Sequence, residues 1–321
     1  MSPPARLGRR ARHPTGEFER RRLALFARHG FEGESRRVTD RDGRRTYIVG
    51  RGEGPCPTVL VHGGLSHAGE WAPLAGLIPG HVLIPDRPGC GLSYPIDYRR
   101  VPDYREAAAT WMLDLVDGTG AEQVDLVGNS MGGFFSIAFA LAHPERVRSL
   151  VLVGAPAGLD RRLPLFPRLW GNPIVGPLIG KRKITDPEVF RDRVVARLLV
   201  AHPESVSREL LDMMVASGAI PGADRAAHTM LRTVTTLRGW RRELMLRDAM
   251  VTLRVPTLFV WGDADAFAPP SSGHAVAARM RDARVHVVRD AGHLPWIDHP
   301  ETVAARVVEF LLRSETADRV A

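Results

Sequence analysis

Apolar positions along the chain fall into two kinds of pattern. The first stretch, Thr15–Gly30, predicts a short helix with Phe18, Leu25 and Phe26 as contacts and Gly30 as its stop. Strand patterns follow. Ser35–Thr39 and Arg45–Val49 flank Asp42-Gly43, a hairpin signal. Thr58–His62 and Val82–Ile84 are continuous apolar runs, as expected of parallel strands covered on both faces. Asp103-Tyr-Arg-Glu106 is a capping-box pattern that opens a helix reaching about Asp117, with Gly118 and Gly120 ending it. Val124–Val127 predicts the next strand and Met131–Ala142 a helix apolar nearly all round, hence buried. Val147–Val153 is again a strand. Such alternation is the mark of a wound α/β sheet.

The alternation stops after Gly158. Residues 159–249 hold no convincing strand; they open on Pro164, Pro167, Pro173 and Pro177 and continue as helical segments. Strands resume at Thr257–Trp261 and Val285–Val288, and a helix over Glu301–Arg313 turns Val303, Val307, Val308, Phe310 and Leu311 toward a core. The organisation read from this is an N-terminal arm and helix at 1–35, a sheet domain from 36–158 and 250–314, a helical insertion at 159–249 and a tail at 315–321.

The 321 residues suffice for a large buried core, and 44% hydrophobic with 25% charged residues is ordinary for a globular protein. No apolar run is long enough to cross a bilayer. Arg9-Arg10 is not followed by an apolar segment, so a cytoplasmic protein without integral membrane contact is expected. The two cysteines, Cys56 and Cys90, read as unlinked thiols. A net charge of +8 raises the question of nucleic acid, but residues 1–45 hold 13 arginines against 6 acids. The excess therefore sits on the arm, which reads as a solvated helix or frayed tail, and a nucleic-acid partner is not expected.

The strongest chemical signal is Gly128-Asn-Ser130-Met-Gly132, a G-x-S-x-G between a buried strand and a buried helix. A sharp strand-to-helix turn strains the serine backbone, the flanking glycines make room, and the helix N-terminus favours developing negative charge. His293, in Ala291-Gly-His-Leu294 after the last strand, is the candidate base. Asp265, in Trp261-Gly-Asp-Ala-Asp265 after the preceding strand, is the candidate orienting carboxylate. Asp263 is the other carboxylate of that segment; the spacing from Trp261-Gly262 and Pro269 selects Asp265. Alone, each of the three is unremarkable, but together they stand in the order Ser, Asp, His, each beyond a strand end. The oxyanion donors expected are the N–H of Met131 and one from His62-Gly63-Gly64-Leu65, with Gly64 the first choice and Leu65 the second. His62 itself reads as structural.

On these motifs the chain resembles the α/β-hydrolase superfamily from about residue 40 to 312. The matching pieces are HGG at 62–64, DRPGCGLS at 86–93, GNSMGG at 128–133, WGDADAFAP at 261–269 and AGHLPWIDHP at 291–300. The resemblance implies an α/β-hydrolase fold with a mostly parallel eight-stranded sheet. It also implies residues 159–249 as a helical cap over the site, the triad Ser130, Asp265 and His293, and no cofactor; no metal is assigned. Epoxide hydrolases and haloalkane dehalogenases carry aspartate where Ser130 stands. GNSMGG resembles the meta-cleavage product hydrolases, which split carbon–carbon bonds. Leu294, where they commonly have tryptophan, and Ser66-His67, where they usually have a Gly/Pro-rich run, depart from their pattern.

Leu65, Trp71, Phe134, Trp170, Phe267 and Trp296 are candidate walls of an apolar substrate pocket. The leading expectation is a serine hydrolase of an ester or related small acyl molecule. Its alternatives are a C–C bond hydrolase or a biosynthetic lyase or cyclase on the same scaffold, and, from another class, a small-molecule receptor with slow turnover. The sequence sets neither the natural substrate nor the oligomeric state.

Overall fold

The computed structural model describes residues 14–180 and 184–318. Residues 1–13 of the arm, Lys181 and Lys183, and the last residues of the tail lie outside the described residues. The strands are β1 (Glu34–Thr39), β2 (Arg45–Arg51), β3 (Thr58–Val61), β4 (Val82–Pro85), β5 (Val124–Gly128), β6 (Val147–Val153), β7 (Thr257–Gly262) and β8 (Ala283–Val288). They form one eight-stranded sheet in the order β1-β2-β4-β3-β5-β6-β7-β8. β1 and β2 pair antiparallel through the Asp42-Gly43 turn, β2 pairs antiparallel with β4, and the remaining pairs are parallel.

Strand alternation divides the core between the two faces of this sheet. Val59, Val61, Leu126, Leu150 and Leu152 point to one face. Leu60, Val127, Val151 and Val153 point to the other. Helices α2 (Tyr104–Thr119) and α3 (Met131–Ala142) cover the first face with Trp111, Met112, Phe135 and Phe139. Asp103 caps α2 by accepting from the N–H groups of Arg105 and Glu106, as its sequence pattern predicts.

The second face is closed partly by an element that the composition had suggested was solvated. Helix α1 (Pro14–Arg28) buries Phe18, Leu25 and Phe26 in this core. Fully burying a side chain such as Phe26 contributes about 1.5–3 kcal/mol. Arg22 is also fully buried and ion-pairs with Asp86, itself fully buried just beyond β4. The reading of the N-terminal segment as a solvated helix or frayed tail therefore fails for residues 16–28. Arginine density marked the exposed side of α1, while three apolar residues and one buried pair dock the other.

Residues 159–249 form mainly short helical pieces, with a two-residue hairpin, Thr235–Thr236 with Gly239–Trp240, that the sequence pattern had not disclosed. Two helices here are longer: α4 (Arg208–Ser217) and α5 (Ala223–Val234). α4 gives Leu210, Leu211, Met213 and Met214 to the α1 side of the core, and α5 gives Met230, Leu231 and Val234 to the opposite side. Helices α6 (Pro270–Ala277) and α7 (Pro300–Asp318) complete the fold. No helix among the described residues is long and apolar enough to cross a membrane. Cys56 and Cys90 form no disulfide.

Candidate active site

Ser130 joins β5 to α3 with φ 51° and ψ −114°, a conformation rarely adopted by a residue with a side chain. The surrounding glycines explain how the turn closes. A Cβ on Gly132 would lie 2.0 Å from the Val61 carbonyl oxygen, and one on Gly128 would lie 2.8 Å from Gly133 Cα. Ser130 is left partly exposed while Asn129 and Met131 on either side are buried. Met131 is the first residue of α3, so its N–H has no acceptor one turn back in the helix.

Asp265 and His293 meet as their positions after β7 and β8 imply. His293 Nδ1 lies 2.9 Å from Asp265 Oδ2, with both side chains almost completely buried. Asp265 Oδ2 also accepts the Ala155 N–H at 2.8 Å, and Oδ1 accepts the Phe267 N–H at 2.8 Å. These bonds fix the carboxylate before it touches the imidazole. Asp263 is exposed and accepts the Ala291 N–H at 3.2 Å, so it braces the histidine loop without reaching the ring. Phe267 stacks on the His293 ring at 4.1 Å between centroids. The Ser130 hydroxyl makes no hydrogen bond to His293; contacts of this kind commonly tighten only with substrate in place. Backbone sets their relation instead. The Asn129 side-chain amide donates to the Val153 carbonyl at 2.7 Å and to the His293 carbonyl at 3.2 Å.

The loop after β3 is held from behind. Arg87, fully buried, donates through Nε to the His62 carbonyl at 2.9 Å and through its guanidinium to the Gly63 carbonyl at 2.5 Å. The Arg87 N–H donates to His62 Nε2 at 3.0 Å, leaving His62 Nδ1 to donate to the Gly63 carbonyl at 2.9 Å. Burial first, and then the charge of Arg87, push the His62 pKa well down, so the ring is a neutral brace. Gly64 lies against the nucleophile turn, since a Cβ built there would come 3.1 Å from Met131 Cγ. Leu65 follows with φ 60° and is 40% exposed.

The expected pocket residues separate into two groups. Phe267 stacks on the His293 ring, and Leu65 follows Gly64 in the loop that approaches the nucleophile turn. Trp71 and Trp296 are fully buried, stack on each other at 4.1 Å, and belong to the α1-side core. Phe134 is also buried, packed against Tyr104 at 5.4 Å. Their size and apolarity, which suggested pocket walls, serve core packing. Trp170 lies in a short helix of the 159–249 segment against Phe166 at 5.7 Å. Sequence reading did not single out Met230, whose Cε would be 3.3 Å from a Cβ on Gly64, although the strong apolar stripe of α5 was the available signal. Asn129 and Arg87 carried no such signal, because their partners are backbone carbonyls distant in sequence. A cleft of about 700 Å³ lined by Arg99, Tyr104, Arg168, Arg232, Arg241 and Leu244 opens elsewhere, and neither Ser130 nor His293 lines it. The strained serine and the Asp265–His293 pair, and not cavity size, locate the chemistry.

A mostly parallel sheet with a strained serine after its fifth strand, and an aspartate–histidine pair beyond the seventh and eighth, defines the α/β-hydrolase fold. The chain belongs to the alpha/beta hydrolase family, whose model matches residues 58–306. It is 29% identical over 270 residues to 2-hydroxy-6-oxononadienedioate/2-hydroxy-6-oxononatrienedioate hydrolase 2 of Pseudomonas putida, covering 81% of this chain and 89% of that protein. It is 30% identical over 286 residues to 2-hydroxymuconate semialdehyde hydrolase of Pseudomonas sp. (strain CF600), covering 86% and 93%. Carboxylesterase CesB from Bacillus subtilis superposes with a TM-score of 0.71 at 22% identity, over 93% of this chain and 98% of that one.

Proposed function

We propose that this hydrolase cleaves a small ester or related acyl substrate, with Ser130 as nucleophile, His293 as general base and Asp265 as orienting acid. The observation that carries the reading is the 2.9 Å contact of His293 Nδ1 with Asp265, in a loop bonded to the residue next to Ser130. With Nδ1–H donated to Asp265, Nε2 is the nitrogen free to take the Ser130 proton. As Ser130 Oγ attacks the acyl carbon, the proton passes to Nε2 and then to the leaving alcohol, giving an acyl-enzyme. Water activated by the same nitrogen releases the acid. The N–H groups of Met131 and Gly64 receive the oxyanion, and residues 159–249 serve as the cap, with Met230 above Gly64.

The residues beside the serine favour an apolar acyl group. Gly64, Leu65, Met131, Met230 and Phe267 offer apolar contact. The Arg87 guanidinium donates to two backbone carbonyls from behind the loop and keeps one buried nitrogen without a partner. The second reading is carbon–carbon bond hydrolysis, favoured by the relatives named above.

Fluorophosphonate labelling followed by peptide mapping tests the nucleophile, and labelling at a serine other than Ser130 would overturn it. Parallel assays on p-nitrophenyl esters of graded chain length and on a 2-hydroxy-6-oxo-dienoate then separate the two readings. Preferred turnover of the dienoate would replace the ester reading with the second.

A further inference from the structure

Outside the catalytic pair, ligand-type side chains converge where the cap meets the histidine loop. His202 comes from the cap, Asp290 from the turn after β8, and His299 immediately precedes α7. Each offers one ligand atom, and these atoms lie within 4.8 Å of one another. His202 Nε2 is 2.8 Å from Asp290 Oδ2, while its Nδ1 is 3.2 Å from Glu204 Oε1. The His299 ring stands edge-on to that of His202 at 5.9 Å, and its Nε2 contacts the Asp290 carbonyl at 2.9 Å. Asp290 is held at φ 56°, one of only three described non-glycine residues with positive φ.

The backbone under this cluster is firmly tied. Asp298 accepts the N–H of Ala201 at 3.1 Å, of His202 at 2.9 Å and of Gly292 at 2.8 Å. The Leu294 N–H donates to the Leu199 carbonyl at 2.8 Å. The candidate ligands thus stand on segments whose relative position is fixed, while their side chains remain accessible enough to draw inward.

We propose that His202, Asp290 and His299 bind a divalent transition-metal ion of the zinc class, with Glu204 orienting His202 from behind through Nδ1. Two imidazoles and one carboxylate suit zinc, nickel or copper and not magnesium or calcium, which prefer oxygen ligands. Three protein ligands leave a fourth position for water. Glu204 supplies the carboxylate–histidine relay that commonly fixes a ligating imidazole. The cation would take the place of the hydrogen now shared between His202 Nε2 and Asp290 Oδ2. Binding joins the cap to the loop that carries His293, and it does not depend on which bond the enzyme cleaves.

Calorimetric titration of the chelator-treated full chain with zinc chloride tests the site. One equivalent is expected to bind, with a rise in melting temperature. His202→Ala and Asp290→Gly should each weaken the affinity at least tenfold; glycine keeps the positive-φ turn intact while removing the carboxylate. Glu204→Gln should weaken it by about tenfold to a hundredfold. Circular dichroism verifies that the variants fold. Failure of the wild type to take up zinc, or equal uptake by the His202→Ala/His299→Ala double variant, would overturn the proposal.

Discussion

Asn129 donates its side-chain amide to the main-chain carbonyl of His293, so the residue preceding the nucleophile holds the segment that carries the base. The same amide also engages Val153 at the end of β6. Asn129→Ala should orphan both buried carbonyls, at about 1–3 kcal/mol for each group left unsatisfied. Turnover should fall tenfold or more while the far-ultraviolet spectrum stays native. Asn129→Asp should be worse, since it sets a carboxylate oxygen against two carbonyls. Equal activity in all three proteins would show that the tie is dispensable.

Asp265 and Asp263 lie two residues apart and serve different partners. Asp265→Asn removes the charge that stabilises an imidazolium and the acceptor that fixes its tautomer, so kcat should drop by roughly a thousandfold or more. Asp263→Asn touches only the Ala291 N–H and should cost less than tenfold. Steady-state assays of both variants decide the ranking.

The Arg22–Asp86 pair is fully buried. Asp86 also accepts the N–H of Ala68 at 2.8 Å and of Leu92 at 2.9 Å. Removing Arg22 alone, as Arg22→Met, strands a carboxylate and should cost about 3–5 kcal/mol. Arg22→Met combined with Asp86→Asn should lose less than the two single variants summed, because the amide keeps an acceptor without the charge. Urea unfolding of the four proteins gives the coupling directly; strict additivity would mean the pair is not coupled.

Burial raises the Glu70 carboxyl from 4.5 to about 7, against the opposing effects of Ser66, His293 and Arg87. The folded chain therefore keeps this proton at pH values where the unfolded chain has released it. Its contribution to stability is greatest below about pH 4.5, declines as pH rises toward 7, and stays lost above that. Glu70→Gln should gain melting temperature relative to wild type across that window and hold a constant advantage beyond pH 7. An advantage independent of pH would contradict the shift.

The sheet was legible because β3, β4 and β7 are uninterrupted apolar runs and the β1–β2 hairpin carries the Asp42-Gly43 turn. The serine turn, the choice of Asp265 over Asp263 for contact with His293, and the Gly64–Met131 approach follow from local spacing, and the structure brings those residues together. What stayed hidden depends on partners far apart in sequence. Arg22 resembles every other arginine of its segment until Asp86 is placed beside it. Trp71 and Trp296 read as pocket walls because composition cannot tell an aromatic stack in a core from one facing a ligand. The hairpin at Thr235–Trp240 has only two residues in each strand, too few to leave a periodic signal.

Asp298 has a mechanical consequence. By accepting from the backbone N–H groups of residues 201 and 202 together with that of Gly292, it pins the 159–249 segment to the histidine loop. Any movement of that segment that keeps these bonds is smallest beside the loop. Leu165, Ile174 and Leu178 of the same segment, which make no part of that tie, are 58%, 80% and 62% exposed. If residues 159–249 act as the proposed cap, substrate traffic would then favour the side away from Asp298, and residues remote from Ser130 would set how often it opens.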